Sequence, residues 1–509
     1  MKLLKLISNR IFIISLLLIA QIVWFVLFLV KLTNYSLVIS TTFTILSLMM
    51  VLYIVAKDEN PSYKIAWIIL IMVLSLFGGF FYLMFGNKRP SKGIKYLLDL
   101  ENKKVMEVLD YDDQNLKEIG QENPRAMTTF FYLQEGNSFP VYKNTESSYY
   151  ATGEDMFKDM LKEMERAEDF IFMEYFILEE GKMWAAMIDI LARKALQGVD
   201  VRLIYDDVGS LFLLDKDFIK NVEGQGIKVM AFNKFRPFLS LAMNNRNHRK
   251  MLVIDGHVAF TGGINIADEY INEKEKFGYW KDTGIRLKGE AVWSFTLMFL
   301  EMWNAFRKTD DNYESFKCSL EILSKYKLDG YVQPYFDSPT DDETVGENIY
   351  IDILDQAKDY VYIFTPYLII DNEMKHALSM AAKRGVDVSI VTPGIPDKKI
   401  IFRLTRSNYE PLLRAGVKIF EYSPGFLHGK SYVSDDEIGI VGTINMDYRS
   451  LYLHFECGVL LYKNQSILDL RDDSINTINK SKEITLDQIK RGLLARFVDA
   501  LLRLIAPLT

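Results

Sequence analysis

The sequence predicts an α/β protein: two copies of one α/β repeat, with central mixed sheets packed face to face, behind an N-terminal transmembrane helical anchor. Three observations predict it. Apolar runs of about 20 residues open the chain. A strand–helix–strand pattern then occurs twice, and one motif of histidine, lysine and aspartate recurs 180 residues further on.

The anchor comes first. Residues 11–30, 36–56 and 65–85 are charge-free and apolar, each long enough at 1.5 Å per residue to cross a hydrocarbon core of about 30 Å. A cleaved signal peptide would have a shorter apolar region followed by a small-residue cleavage site, and neither is present. Residues 1–86 therefore read as a three-span anchor. The first 85 residues carry only eight charged side chains and net +4, whereas the whole chain is −7. The remainder is thus an acidic body, which argues against a nucleic-acid partner, since phosphate neutralisation needs a basic face. With three spans, seven Lys/Arg flank the membrane on the side of the body and five on the other, which favours a cytoplasmic body. Cys318 and Cys457 stand alone, so neither a disulfide framework nor a zinc knuckle is available.

Residues 87–135 are polar and charged and read as a juxtamembrane connector. The repeat follows, with a first half at 136–330 and a second at 331–509. In the first, Ala167-Glu168-Asp169-Phe170 leads into an apolar run, a helical stretch and then Gly198-Val199-Asp200-Val201. In the second, Ala357-Lys358-Asp359-Tyr360 leads into the same sequence of elements, ending Gly385-Val386-Asp387-Val388. Glycine ends each helix and a β-branched buried strand follows, so each half is expected to have a largely parallel core. The acidic, turn-rich stretch 337–347 separates the halves.

The repeat continues into chemistry. His248-Arg249-Lys250 with Asp255 and His428-Gly429-Lys430 with Asp435 both read H-x-K-x4-D, and Asn265 and Asn445 each lie 17 residues beyond their histidine. Only five histidines occur in 509 residues, and two of them begin this pattern. Residues two apart on a strand share a face, so each half offers an imidazole, an ammonium and an amide together. Two facing halves would surround one phosphate: Lys250, Lys430, Asn265 and Asn445 holding its oxygens, one histidine attacking phosphorus and the other protonating the leaving oxygen. No metal or cofactor is called for, because the lysines supply the positive charge. Asp255 and Asp435 belong to the motif, but their strand-end position points to holding local structure. Asp282 and Glu456 are the carboxylates placed to accept the second imidazole N–H and set its tautomer. His257, His376 and His454 read as ordinary structural residues.

These paired motifs with their G-G/T-x-N tails resemble the phospholipase D superfamily. Asn247-His248-Arg249-Lys250, Asp206-Asp207-Val208-Gly209-Ser210, Thr365-Pro366-Tyr367, Pro424-Gly425-Phe426-Leu427-His428, Tyr82-Leu83-Met84-Phe85-Gly86 and the terminal Ala506-Pro507-Leu508 are similar to bacterial cardiolipin synthases within it. Thr443 departs from the usual serine, and one apolar run precedes the usual two-span anchor. The resemblance implies two phospholipase D-like halves in a multi-pass cell-membrane enzyme. Its implied reaction joins two phosphatidylglycerols into cardiolipin and glycerol through a phosphatidyl-histidine, with His248 favoured as nucleophile. Hydrolysis of phospholipid to phosphatidic acid is the alternative; a nuclease and a non-catalytic membrane scaffold are further rivals.

Two segments suit a lipid substrate independently. Residues 235–243 are apolar with Lys234, Arg236 and Arg246 nearby, and 491–508 space leucines, Phe497 and arginines as an amphipathic helix, docked on the body or lying on a bilayer.

Overall fold

Alternation of β-branched strands and amphipathic helices builds the same sheet twice. The computed structural model describes residues 37–73, 78–86, 90–109, 111, 113–234, 244–307, 309–341 and 343–508, with Ile19, Val23 and Leu27. Two compact units result: Met1–Arg89 with Lys234–Asn245 and Leu504–Thr509, and Pro90–Asn233 with Arg246–Arg503.

In the larger unit the first half contributes β1 (Thr145–Tyr150), β2 (Phe170–Tyr175), β3 (Asp200–Asp206), β4 (Lys228–Phe232), β5 (Lys250–Ile254), β6 (Val258–Gly262), the short β7 (Tyr279–Lys281) and β8 (Gly284–Gly289). Its sheet has the order β1-β8-β6-β5-β2-β3-β4. The second half contributes β9 (Tyr331–Asp337), β10 (Tyr360–Phe364), the short β11 (Leu368–Ile369), β12 (Asp387–Pro393), β13 (Lys418–Tyr422) and the short β14 (Gly425–Leu427). After these come β15 (Ser431–Ser434), β16 (Ile438–Gly442), the short β17 (Met446–Asp447), β18 (Glu456–Tyr462) and β19 (Ser481–Glu483). Its order, β9-β18-β16-β15-β10-β12-β13, matches the first strand for strand, with β19 added at the edge.

Within the two large sheets, among the described residues, parallel pairing covers only β2-β3-β4 and β10-β12-β13, fewer strands than a largely parallel core. Parallel neighbours need a crossover, and helices such as Lys182–Leu196 and Asn372–Lys383 provide it there. From β5 and β15 onward tight turns join neighbours antiparallel, so both sheets are mixed. Alternation along β5 fixes how they stack. Met251 and Val253 share a core with Val433, Val441 and Val459 of the other sheet, while Leu252 and Ile254 pack among the first half's helices.

Residues 90–135 are not a bare connector. They form the helices Lys92–Val108, Asp113–Glu122 and Pro124–Phe131, whose apolar stripes enter the cores: Leu98 and Val105 join one cluster, Leu116, Ile119 and Phe130 another. Their surface charge is the solvated side of short amphipathic helices.

In the smaller unit, the apolar run 11–30 lies outside the described residues apart from three single positions, as does the loop 235–243. The second run forms the 20-residue helix Leu37–Ala56, with side chains described from Thr41 onward. The third is two shorter helices, Pro61–Val73 and Gly78–Phe85. A Cβ on Gly78 would stand 2.3 Å from Ile71 Cα, so only glycine permits that approach. Trp67 packs edge-on to Tyr82, ring centroids 5.2 Å apart. Among the described residues no helix is long and apolar enough to cross a membrane.

The motif aspartates are structural clamps. Asp255 has a positive φ of 49° and accepts hydrogen bonds from the backbone N–H groups of Glu168, Asp169 and Phe170 at 2.8–2.9 Å. Asp435, at φ 54°, does the same for Lys358, Asp359 and Tyr360 at 2.8–3.0 Å. Each fixes the turn that launches the first parallel strand of its half. Asp435→Ala strands three backbone donors at a turn that water partly reaches, so a loss of about 2–3 kcal/mol in stability is expected. Chemical denaturation of the solubilised protein measures it, and the folded fraction should turn over at the wild-type rate per molecule.

Candidate active site

Backbone pairing between the halves places each motif histidine. Asn247 bridges to Phe455; His248 N–H donates to Phe455 O, and Phe455 N–H to Arg246 O, both at 2.9 Å. The next residue is Glu456. The pseudo-symmetric arrangement pairs β14 with β7 in parallel, Leu427 opposite Lys281, and His428 N–H donates to Lys281 O at 2.7 Å. The next residue there is Asp282. Each histidine therefore meets a carboxylate from the other half. His248 Nδ1 lies 2.8 and 2.9 Å from the two Glu456 oxygens, and His428 Nδ1 lies 2.8 Å from Asp282 Oδ2. A charged carboxylate at that distance holds the proton on Nδ1 and leaves Nε2 with its lone pair.

The two pairs are built differently. Thr443 donates its hydroxyl to Glu456 Oε2 at 2.6 Å, holding the longer acid. Gly263 occupies the corresponding place in the first half, where an added Cβ would sit 2.0 Å from Asp282 Oδ1. Asp282 is held instead by Thr283 N–H at 2.9 Å.

Both lysines point inward. Lys250 Nζ donates to His248 O at 2.6 Å, and Lys430 Nζ donates to His428 O. Lys430 Nζ also stands 2.8 Å from His428 Nδ1; with that nitrogen's proton committed to Asp282, the carbonyl is the bond the ammonium makes. Burial pushes Lys250 down to about 8 against the pull of Glu456, and Lys430 down to about 7 against that of Asp282. Burial, then Lys430, lowers His428 to about 4, with Asp282 opposing. Burial and both lysines hold His248 well below its ordinary value. His248 senses both Lys430 and His428, so one electrostatic neighbourhood contains both halves of the motif. Asp282 stays low because His428 and Lys430 outweigh the opposing effect of burial.

Asn265 Oδ1 accepts from Ile177 N–H at 2.9 Å while Nδ2 donates to Tyr270 at 2.8 Å; Asn445 Nδ2 donates to Asp447 at 3.0 Å. Each amide retains one further N–H. Asp255 and Asp435 lie at the far end of β5 and β15, up to about 24 Å from their histidines at roughly 3.4 Å per residue, because the seven-residue spacing runs the length of a strand.

Asp206, Arg246 and Asn247, named from sequence without a role at the site, and Glu174, which the sequence pattern missed, also belong to it. Asp206 binds Arg246 Nε at 2.9 and 3.0 Å and Asn247 N–H at 3.0 Å, while Glu174 accepts from Asn247 Nδ2 at 2.5 Å. These buried bonds fix the segment entering His248. His454, read from sequence as ordinary, has its ring 5.3 Å from that of His248. Its Nδ1 stands 3.7 Å from Glu456, and among the described residues neither ring nitrogen has a hydrogen-bond partner. Burial lowers it to about 3, so the ring is neutral. His248, His454 and Glu456 bring ligand-type atoms within 4.8 Å of one another. The two ammonium groups beside them disfavour a divalent cation there.

The family profile described as "Cardiolipin synthase, PLD-like domain" matches residues 160–283 and 350–476, and one described as "Phospholipase_D-nuclease N-terminal" matches 45–87. The cardiolipin synthase of Alkalihalophilus pseudofirmus is 33% identical, aligning 92% of this chain with 93% of its own. Cardiolipin synthase 2 of Bacillus anthracis is 34% identical over 92% and 90%. This chain belongs to the cardiolipin synthase family. It is an enzyme of that phosphatidyl-transferring, phospholipase D-like type. An uncharacterised Streptococcus mutans protein is 44% identical over 90% of this chain and 99% of its own. The crystal structure of phosphatidylserine synthase from Haemophilus influenzae Rd KW20 shares the fold, with a TM-score of 0.55, 16% identity, and coverage of 74% of this chain and 97% of that one. The family's duplicated sheet is the frame on which the crossed histidine–carboxylate pairs sit.

Two outcomes follow from the geometry. Asp282→Asn keeps the shape but removes the charge that fixes the His428 tautomer, so kcat should fall on the order of 10³–10⁴-fold with little change in folding. Because Lys250 and Lys430 carry depressed values of about 8 and 7, they are charged below and neutral above that range. kcat/KM for an anionic phospholipid should therefore decline as pH rises through 7–8. In Lys430→Arg, where the guanidinium stays charged, that decline should move to higher pH.

Proposed function

We infer that this enzyme transfers a phosphatidyl group from one phosphatidylglycerol to another, giving cardiolipin and glycerol through a phosphatidyl-histidine. The observation that carries the reading is the crossed pair of His–carboxylate hydrogen bonds flanked by two buried lysines. His248 Nε2 attacks phosphorus. His428 protonates the departing glycerol oxygen, then takes the proton from the hydroxyl of a second phosphatidylglycerol as that oxygen displaces His248. Burial and the neighbouring lysines lower both imidazoles, so each is neutral and able to act as nucleophile or base before substrate binds. Lys250, Lys430 and the remaining N–H groups of Asn265 and Asn445 hold the phosphate oxygens as negative charge develops. Near-complete burial of both histidines, each 7% exposed, excludes bulk water and favours a lipid alcohol over water as acceptor.

The charge balance has a consequence. Below pH 7, where Lys250 and Lys430 are both charged, two ammonium groups and two carboxylates cancel and a phosphodiester adds one negative charge, so binding there should draw a proton onto one imidazole. Calorimetry of a non-cleavable phosphatidylglycerol analogue in buffers of different ionisation enthalpy should register uptake approaching one proton; none would contradict the balance.

In mixed micelles with labelled phosphatidylglycerol, cardiolipin and glycerol are the expected products. Phosphatidic acid without cardiolipin would assign hydrolysis instead. His248→Ala and His428→Ala should each abolish turnover, and a phosphatidyl adduct trapped on His428 would reverse the two roles.

The same reading takes residues 1–86 as a membrane anchor and puts the body on the cytoplasmic side. Single cysteines placed near residues 33, 59 and 340 in a Cys318→Ser background, labelled with an impermeant reagent on intact cells, should react only at 33 and 340 if the body faces outward, and only at 59 if it faces the cytoplasm.

A further inference from the structure

Outside the active site, the strongest unassigned feature is a basic hollow at the C-terminal helix. The helix Leu493–Ile505 leaves Leu493, Leu494 and Phe497 85%, 78% and 62% exposed, with Leu501 and Ile505 following at helical spacing. An apolar face of this size is costly in water. Beside it lies a concave site of about 340 Å³, lined by Arg414, Arg491, Arg496, Arg503, Glu410 and Asp499 among others. Glu410 receives Arg414 at 2.9 Å and Arg496 at 3.5 Å; Asp499 receives Arg403 at 2.7 Å and Arg491 at 2.8 Å. Arg503 makes no ion pair among the described residues. Five arginines thus share two carboxylates, and three positive charges stay uncompensated.

The surface extends toward the catalytic residues. Arg403 lies on the helix Lys399–Ser407, whose Ile400 is 67% exposed. From that helix Thr405 accepts the N–H of Leu368 at 3.3 Å, and Leu368 pairs with Met446, the residue after Asn445.

We propose that this hollow seats the phosphate of an anionic phospholipid, with the apolar helix face entering the acyl boundary around it, as a lipid site separate from the catalytic one. Surplus positive charge next to exposed leucine and phenylalanine matches a bilayer with anionic headgroups rather than a soluble anion or an apolar protein surface. The inference rests on the reading that the enzyme works on membrane lipid.

The test uses the full chain in nanodiscs of phosphatidylcholine alone, or with phosphatidic acid, which has no headgroup alcohol to remove. Hydrogen exchange over Leu493–Ile505 should slow about tenfold in the anionic discs, as for a tenfold binding preference. Arg414→Gln/Arg496→Gln/Arg503→Gln and, separately, Leu494→Ser/Phe497→Ser should return it to the neutral-disc rate. Equal protection in both discs, protection by inorganic phosphate in neutral discs, or protection surviving the arginine changes would each overturn the site. Micellar turnover of phosphatidylglycerol is measured in parallel. Its absence would remove the catalytic reading without altering the exchange result, and its retention in the arginine variant would show that folding is intact.

Discussion

Two hydrogen bonds, His248 to Glu456 and His428 to Asp282, govern the catalytic body. Ionised carboxylates and ammonium groups cannot be buried without partners except at several kcal/mol each, and this site buries two of each around a pair of neutral imidazoles. The cost is met only if the halves dock so that each acid reaches the other half's histidine. The face-to-face sheets, the β7–β14 pairing and the Asn247–Phe455 bridge all serve that alignment. The valine-lined interface between the sheets supplies apolar burial, and the crossed backbone bonds supply register.

The duplication does not make the halves equivalent. Glu456 is one methylene longer than Asp282 and takes a hydroxyl from Thr443; Asp282 takes a backbone N–H and leaves room for nothing larger than Gly263. Only His248 has a second imidazole, that of His454, beside it. Such differences give like residues unlike environments, which is the condition for titratable groups to take different roles.

Much of this was legible in the chain because duplication repeats spacing. The H-x-K-x4-D pairs and the asparagines stand out by their repeated offsets, the two carboxylates follow their histidines at the unequal distances of 34 and 28 residues, and the β-branched runs mark the central strands. Local spacing could not reveal that the acids cross over, since the partners lie 208 and 146 residues apart and either pairing satisfies the pattern. The strand-end position of Asp255 and Asp435 hinted at a structural part, and each accepts three backbone N–H groups at the turn. The helices of 90–135 were hidden by charge on short amphipathic segments. His454 was hidden because nothing about an isolated histidine in sequence distinguishes an ordinary packed ring from one buried beside another imidazole.

The crossing also sets a clock on synthesis. His248 is made 208 residues before Glu456, which at about 5–20 residues per second amounts to roughly 10–40 s. Throughout that interval the first half has its imidazole and lysine but no acid to orient the ring. A nascent chain thus carries an unpartnered His248 until the second half has emerged, and the crossed pairing closes only after Glu456 has been made.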